Sequence, residues 1–444
     1  MSSLHPFLER LERRYPGFDE LHQAVSEVAR SVWSVYESEP RWLRERIFER
    51  LVEPDRVVSF RVCWTDDQGA LQIDRGFRVQ QSNALGPYKG GLRFHPGVNE
   101  SIFRFLAFEQ VFKNSLTGLP LGGAKGGATF DPRGRSDMEV MRFCQAFMSE
   151  LRRFVSADLD VPAGDQGVGG REIGFLYGAY RRYGGHDAGV FTGKPVSFGG
   201  IPLRPAATGY GLVHFLRYAL WEHDAALENQ RCLISGAGDV ALFAAEKLIE
   251  LGAHVHSLSD TGGAMIFEEP LTKEDLALIR DVKQVERGAL AECAGQVKGT
   301  WSPGGKPWAF PADIALPCAT QNELDAEDAK ALMAGGAKVV AEGANMPCTA
   351  GAVAILRDAK ALFLPGKAAN AGGVAVSGME MAQNAQRLPW TSERVGTHLQ
   401  EIMRDVHTRC VRNAGEGKPV DYVRGANVAG FLRLAEAVEA QGIL

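Results

Sequence analysis

The sequence predicts an α/β protein of at least two domains, the second built on a doubly wound parallel sheet. Three observations predict this. The chain has 444 residues, more than one ordinary core holds, since domains usually run to about 100–200 residues. From Thr208 onward, short apolar runs alternate with helical patterns, which is the grammar of a parallel sheet covered by helices. One of those runs leads directly into a glycine-rich turn that opens a helix.

The elements follow in chain order. Pro6 to Arg14 and Asp19 to Glu39 carry apolar residues three and four apart and are expected as helices. Val57 to Trp64 and Ala70 to Gln81 read as strands, with Asp66-Asp67-Gln68-Gly69 as the hairpin turn between them. Helix returns near Ile102 to Leu116 and near Asp137 to Phe154. On the first of these, Gln110 and Lys113 are three apart and share a face. Residues 184 to 206 are rich in glycine and proline, from Gly184-Gly185 to Arg204-Pro205, and mark a boundary.

Past that boundary, strands are expected at Arg231–Ser235, His254–Ser259, Asp313–Leu316, Lys338–Ala341 and Ala361–Leu364. The first runs into Gly236-Ala237-Gly238-Asp239-Val240-Ala241, a G-x-G-x-x-A pattern, and the following helix stops at Gly252. The second strand leads to Asp260, where an acid would meet an adenosine ribose. Strand, glycine turn, helix and downstream acid together make a Rossmann-type dinucleotide fingerprint, because a helix N-terminus with exposed amides favours pyrophosphate. Asp239 fits it awkwardly. Aimed inward, its carboxylate would repel the phosphates; aimed away, it would cap the helix. From Val374 the pattern is helical again, over Met379 to Arg387, Thr391 to Arg412 and Val428 to Ala440, and these helices are expected to return to the first domain. The expected domains are thus residues 1–203, 204–373 and 374–444.

Composition narrows the function. Apolar content of 45% and charged content of 23% describe a globular protein, and a net charge of −5 gives no reason to expect nucleic acid or an anionic membrane as partner. Met1 to Arg10 shows no cationic-then-apolar signal pattern, and no apolar run is long enough to span a bilayer, so the cytoplasm is the expected location. Cys63, Cys144, Cys232, Cys293, Cys318, Cys348 and Cys410 are scattered and lack metal or redox spacing, so they read as reduced and structural; no metal site is expected.

Chemistry gathers in the first domain. Lys89 lies in Gly86-Pro87-Tyr88-Lys89-Gly90-Gly91 and Lys125 in Leu121-Gly122-Gly123-Ala124-Lys125-Gly126-Gly127. Both segments read as glycine-rich loops. Lys113 lies on the helix between them, and Asp165 sits in a further loop, Val161 to Gly170. Glycine lets a backbone approach a ligand closely. A single lysine beside glycines usually marks a surface turn, and Lys113 alone would be a solvated helix position. Three lysines and an acidic loop in one domain, followed by a nucleotide fingerprint, point instead to a pocket. Its cations suit a substrate with more than one carboxylate, and its acid suits proton transfer.

These segments carry a resemblance. The chain resembles the hexameric glutamate dehydrogenases of the bacterial NADP-dependent type, over nearly its whole length. The matching strings are Gly86 to Pro96, Leu121 to Gly127, Asp165 to Glu172, Arg204 to Gly211, Ala315 to Glu323, Ala341 to Pro347 and Pro365 to Val374. The resemblance implies reversible oxidative deamination of L-glutamate to 2-oxoglutarate and ammonium in a homohexamer. It assigns Lys89, Ser377 and Arg204 to the side-chain carboxylate of the substrate, and Gln110 and Lys113 to its α-carboxylate. Lys125 would be the catalytic lysine and Asp165 the proton carrier. Thr208, Asn345 and Asn370 would border the nicotinamide, with Gly236, Gly238, Asp239 and Val240 at the pyrophosphate.

Cofactor choice stays open between two readings. Asp260 alone points to NAD, since an acid holds ribose hydroxyls and repels a 2′-phosphate. Arg133 and Lys283 match basic positions that would meet that phosphate, and they favour NADP. Asp239 departs from the family, which usually has asparagine there. Two rivals remain. A leucine- or phenylalanine-type dehydrogenase shares the fold and the catalytic pair, but an apolar side chain has no use for a buried cation such as Lys89. A non-catalytic sensing protein on the same fold is motivated by Asp239 and opposed by the intact Lys125 and Asp165.

Overall fold

A computed structural model describes residues 3–184 and 187–443; Met1, Ser2, Gly185, His186 and Leu444 lie outside them. The chain divides into two compact units. One comprises Met1–Pro202, Val376–Val395 and Asn427–Leu444; the other comprises Leu203–Ala375 and Gly396–Ala426.

The first unit is built on five strands: β1 (Arg56–Thr65), β2 (Leu71–Ser82), β3 (Tyr88–Phe94), β4 (Gly123–Ala128) and β5 (Asp160–Gly164), in the order β1-β2-β4-β3-β5. β1 and β2 form the expected hairpin, closed by Asp66 N donating to Ala70 O at 3.1 Å, with Gly69 at φ +79°. β2 runs antiparallel to β4, while β3 runs parallel to both β4 and β5. Helix Glu100–Leu116 starts where the Asn99 side chain accepts from Ile102 N, and it covers Val79 with Phe103 and Ala107. Helix Asp137–Leu151 starts with a Ser136/Glu139 capping box and packs Phe143 and Phe147 onto Phe94. These two helices and the hairpin agree with the sequence reading.

The glycine-rich segments around Lys89 and Lys125 do not. They are strands β3 and β4, inside the sheet, and not loops. Close approach is the reason. A Cβ on Gly90 would stand 1.6 Å from Ala124 O, and one on Gly126 would stand 2.4 Å from Phe77 O. Only glycine lets the strands crowd so closely.

The second unit holds β6 (Arg231–Ile234), β7 (His254–Asp260), β8 (Gly263–Ile266), β9 (Thr300–Pro303), β10 (Ile314–Leu316), β11 (Val339–Ala341) and β12 (Leu362–Leu364). Their order is β12-β11-β10-β6-β7-β8-β9. The run from β12 to β7 is parallel, as expected, but β8 and β9 add an antiparallel edge. The cause is local: Asp260 pairs with Gly263 across a two-residue turn, too short for a parallel crossover. Strand order reverses between β6 and β10, which is where open α/β sheets take ligands.

The C-terminal segment differs from expectation as well. Gly396–Ala426 belongs with the second unit rather than the first. Helix Ser392–Asn413 packs there on helix Ala207–Trp221. His407 meets Phe215 at 5.7 Å between ring centroids, and Met403 Sδ lies 3.4 Å from the Cβ position of Gly211. All seven cysteines are free, and all but Cys63 are buried. Among the described residues, no helix is long and apolar enough to cross a membrane.

Candidate active site

In the first unit, three adjacent strands converge on one cluster, in which Lys125 is buried and Arg93 and Asp165 are half-buried. Lys125 projects from β4, Arg93 from β3, and Asp165 from the turn after β5. Lys125 Nζ lies 3.1 Å from Asp165 Oδ2, and Arg93 Nε donates to the same oxygen at 3.0 Å. Gly91 on β3 makes the space: a Cβ there would be 2.8 Å from Asp165 Cβ and 3.4 Å from Lys125 Nζ.

Burial depresses the Lys125 pKa below the ordinary lysine value; Asp165 opposes this, and Arg93 and Arg78 add to it. Burial alone would raise Asp165, but Lys125 and Arg93 outweigh it and hold the carboxyl down at about 2. The pair is therefore an amine that sheds its proton readily beside a carboxylate that stays ionised.

The strands are clamped from below. Arg78 on β2 reaches past Gly126 to Asp160 on β5, with Nε donating to Oδ2 at 2.9 Å and a second bond from Nη2 to Oδ1. Arg78 Nη1 also donates to Gly90 O at 3.2 Å, and Gln80 Nε2 donates to Asp160 Oδ2 at 2.9 Å. Both members of this ion pair are fully buried.

Lys89, on β3, is also buried, and its Nζ donates to Val161 O at 3.0 Å. Gln110 stands over the neighbouring strand residue, its Cγ 3.4 Å from the Cβ position of Gly90. Gln110 Nε2 donates to Asn114 Oδ1 at 2.7 Å, and Asn114 Nδ2 donates in turn to Lys89 O at 3.0 Å. Lys113 lies half-buried on that same helix. Ser377 is buried on helix Gly372–Gln386, whose Gly378 packs against Leu119. Glu380, three residues on, is locked to Lys194 by a buried ion pair of 2.7 Å. Arg133 is not part of this cluster; it is exposed and paired with Asp131 at 2.8 Å.

In the second unit, the fingerprint folds as its pattern requires. Gly236, at φ +87°, donates its amide to Ser259 Oγ at 2.9 Å. Gly238 is the N-cap of helix Asp239–Glu250, and nothing lies within 4 Å of where its Cβ would stand. Val240 lies half-buried on the first turn. The capping reading of Asp239 is therefore overturned. Asp239 is the first helical residue, and its Oδ1 accepts from Gln284 Nε2 at 2.8 Å.

Asp260 and Lys283, read separately as rival cofactor contacts, are partners at 3.0 Å. Asp260 Oδ2 also accepts from Leu290 N at 2.7 Å, Oδ1 accepts from Gly262 N at 2.9 Å, and Lys283 Nζ also donates to Gly288 O at 2.9 Å. Burial would raise the Asp260 pKa, but these donors hold it below the usual carboxylate value.

Thr208 and Arg204 meet at Gly373: a Cβ there would be 2.5 Å from Thr208 Oγ1 and 3.6 Å from Arg204 Nη1. Asn370 is buried, and its Nδ2 donates to Gly343 O, Ala344 O and Asn345 Oδ1 at 3.0–3.1 Å. Its Oδ1 is buried with no protein partner, an acceptor with a place for one donor.

Sequence reasoning missed Arg93, the Arg78–Asp160 clamp and Gln284. Arg93 lies within the segment Gly86 to Pro96, but its partner is 72 residues away. Only the strand order brings the two together.

Comparison with known proteins places the chain among the amino acid dehydrogenases. The pattern of the Glutamate/Leucine/Phenylalanine/Valine dehydrogenase family matches residues 199–442, and that of the Glu/Leu/Phe/Val dehydrogenase dimerisation domain matches residues 54–182. An NADP-specific glutamate dehydrogenase of Escherichia coli is 52% identical over 442 residues, covering 100% of this chain and 99% of its own. A solved glutamate dehydrogenase of Plasmodium falciparum is 46% identical with a TM-score of 0.97, covering 100% of this chain and 95% of its own. The hetero-hexameric glutamate dehydrogenase from Thermus thermophilus, in its Leu-bound form, is 27% identical with a TM-score of 0.82, covering 93% and 97%.

Proposed function

This chain belongs to the Glutamate/Leucine/Phenylalanine/Valine dehydrogenase family, and we propose that within it the chain catalyses the reversible oxidative deamination of L-glutamate to 2-oxoglutarate and ammonium with NADP. The observation that carries this reading is the Lys125–Asp165 pair at 3.1 Å, its lysine buried and its carboxylate half-buried, with the buried Lys89 on the strand beside it. A buried lysine suits a substrate side chain that ends in a carboxylate and is wasted on leucine or phenylalanine. Lys89, Ser377 and Arg204 are assigned to that side-chain carboxylate, and Gln110 and Lys113 to the α-carboxylate. Neutral Lys125 activates water against the imine carbon, and Asp165 carries protons to and from the departing amine.

The second unit fits a dinucleotide. The open space beside Gly238, at a helix N-terminus, suits a pyrophosphate. The orphaned Asn370 Oδ1 suits a carboxamide N–H, with Thr208 and Asn345 beside the same ring. Lys283, and Arg133 by resemblance, are assigned to the 2′-phosphate. Asp260 is already engaged by Lys283 and two amides, which disfavours a role in selecting NAD. NAD remains usable as a weaker alternative. Bound NADP supplies the acceptor for the hydride of the substrate Cα.

The working form is proposed to be a homohexamer. β1 is an edge strand, and next to it Leu71 and Ile73 of β2 are 65% and 64% exposed, within the segment matching the dimerisation domain. An uncovered apolar strand face calls for a partner. Light scattering that finds monomers would remove this part of the proposal.

The test of function is oxidation of NADPH and NADH, side by side, in the presence of 2-oxoglutarate and ammonium. Turnover with NADPH preferred is expected. Equal turnover of 4-methyl-2-oxopentanoate, the keto acid of leucine, would overturn the substrate assignment.

A further inference from the structure

Asp239 places a carboxylate on the first residue of the helix whose N-terminus is assigned to the pyrophosphate. A negative charge there opposes the ligand, so its direction matters. Its hydrogen-bond partner is Gln284, whose Nε2 donates to Asp239 Oδ1 at 2.8 Å. Gln284 lies on the π-helical turn Asp281–Val285, a rare geometry that shifts side chains out of the ordinary helical register. Its neighbour on that turn, Lys283, donates to Asp260 at 3.0 Å. One turn thus restrains both acids of the nucleotide-binding face with adjacent residues. The two bonds differ in kind. Lys283 neutralises Asp260; Gln284 is uncharged and can only hold Asp239 in place.

Resting on the dinucleotide reading above, we infer that Gln284 is a positioning residue that sets dinucleotide affinity, by holding the Asp239 carboxylate against its own turn and away from the open space beside Gly238. Burial raises the Asp239 pKa, while Gln284, Arg204 and Arg280 oppose that rise; in its ionised form the carboxylate weighs against binding. Removing the charge relieves that load; removing the hydrogen bond lets the charge swing toward the phosphates.

Calorimetric titration of NADPH into the wild-type protein, Gln284→Ala, Asp239→Asn and the double variant tests this. Gln284→Ala is expected to weaken binding about three- to tenfold, the scale of one partly solvated charge approaching another. Asp239→Asn is expected to tighten it. In the Asp239→Asn background, Gln284→Ala should change affinity less than about twofold, because no charge remains to restrain. Gln284→Glu keeps the size and fold of the turn, sets a second carboxylate against Asp239, and should weaken binding more than alanine does. Equal loss from Gln284→Ala in both backgrounds would mean that Gln284 only packs the turn, and the inference fails. Wild-type protein that binds no NADPH would overturn the dinucleotide reading itself, and this inference with it. Wild-type binding with no effect at Gln284 overturns the inference alone.

Discussion

In the first unit the glycines of β3 and β4 make room for neighbouring backbone and side chains of the protein itself; after β6 the glycine at 238 faces open space. A Cβ on Gly126 would be 2.9 Å from Arg78 Cδ, and one on Gly91 would be 2.8 Å from Asp165, whereas one on Gly238 would meet nothing within 4 Å. Charge follows the same division. Arg78, Asp160 and Lys125 are buried in the sheet, while Asp239 lies exposed beside the fingerprint. The difference teaches that the proposed catalytic charges are also structural elements of their sheet, while those around the nucleotide are adjustable. Substitutions in the first unit should therefore cost chemistry or stability heavily, and those in the second should mostly retune binding.

The largest contrast is expected at Lys125. Lys125→Ala should lower kcat by about 10²–10⁴-fold, the usual range for a positioned acid or base. Near-normal turnover would end the catalytic assignment. Next comes the clamp. Asp160→Ala strands the buried Arg78 guanidinium, which should cost about 3–5 kcal/mol in denaturant unfolding. The matching change in the second unit, Asp260→Ala, frees Lys283 where it can reach water, and about 1–2 kcal/mol is expected. Equal losses at the two sites would erase the distinction between the units.

The glycines offer a finer comparison. Gly126→Ala forces a methyl against Phe77 O and Arg78, and about 1–3 kcal/mol of destabilisation is expected. Gly238 has φ −92° and open surroundings. Gly238→Ala should therefore leave the unfolding midpoint of the free protein within about 0.5 kcal/mol of wild type, while weakening NADPH in a titration. A destabilised Gly238→Ala protein would show that this glycine serves the fold after all.

What the sequence made legible follows the same line. The fingerprint could be read because its parts are contiguous: strand, turn and helix start occupy Arg231 to Ala241. Helix Asp19–Ser38 could be read because its buried residues recur three and four apart on one face. β3 and β4 could not, because glycine shows neither alternation nor β-propensity; only the approach of Gly90 to Ala124 O reveals why a strand has no side chains there. Lys125 and Asp165 were legible as residue types in suspicious company. Arg93, the second partner of Asp165, was not, since β5 reaches β3 only through the strand order β4-β3-β5. Asp260 and Lys283 were each visible, but a pairing 23 residues apart was not.

The smallest effect expected is also the sharpest test of how the charges of the first unit cooperate. An amine serves as a base only when neutral. Burial lowers the Lys125 pKa, Asp165 raises it, and Arg93 lowers it. Deamination should therefore rise with pH as Lys125 sheds its proton, reaching its plateau below the ordinary lysine pKa. Arg93→Gln removes one cation. It also leaves Asp165 to bond Lys125 alone, which favours the ammonium further. Both changes have the same sign, so the ascending limb of kcat/KM should move to higher pH, by about half to one unit. Asp165 should rise too, but from about 2 it remains ionised across the working range, so no new acid limb is expected. Arg93→Lys keeps the charge and should leave the limb near its wild-type position. A lower rate with an unmoved limb in Arg93→Gln would mean that Arg93 only braces Asp165, and that burial by itself tunes the lysine.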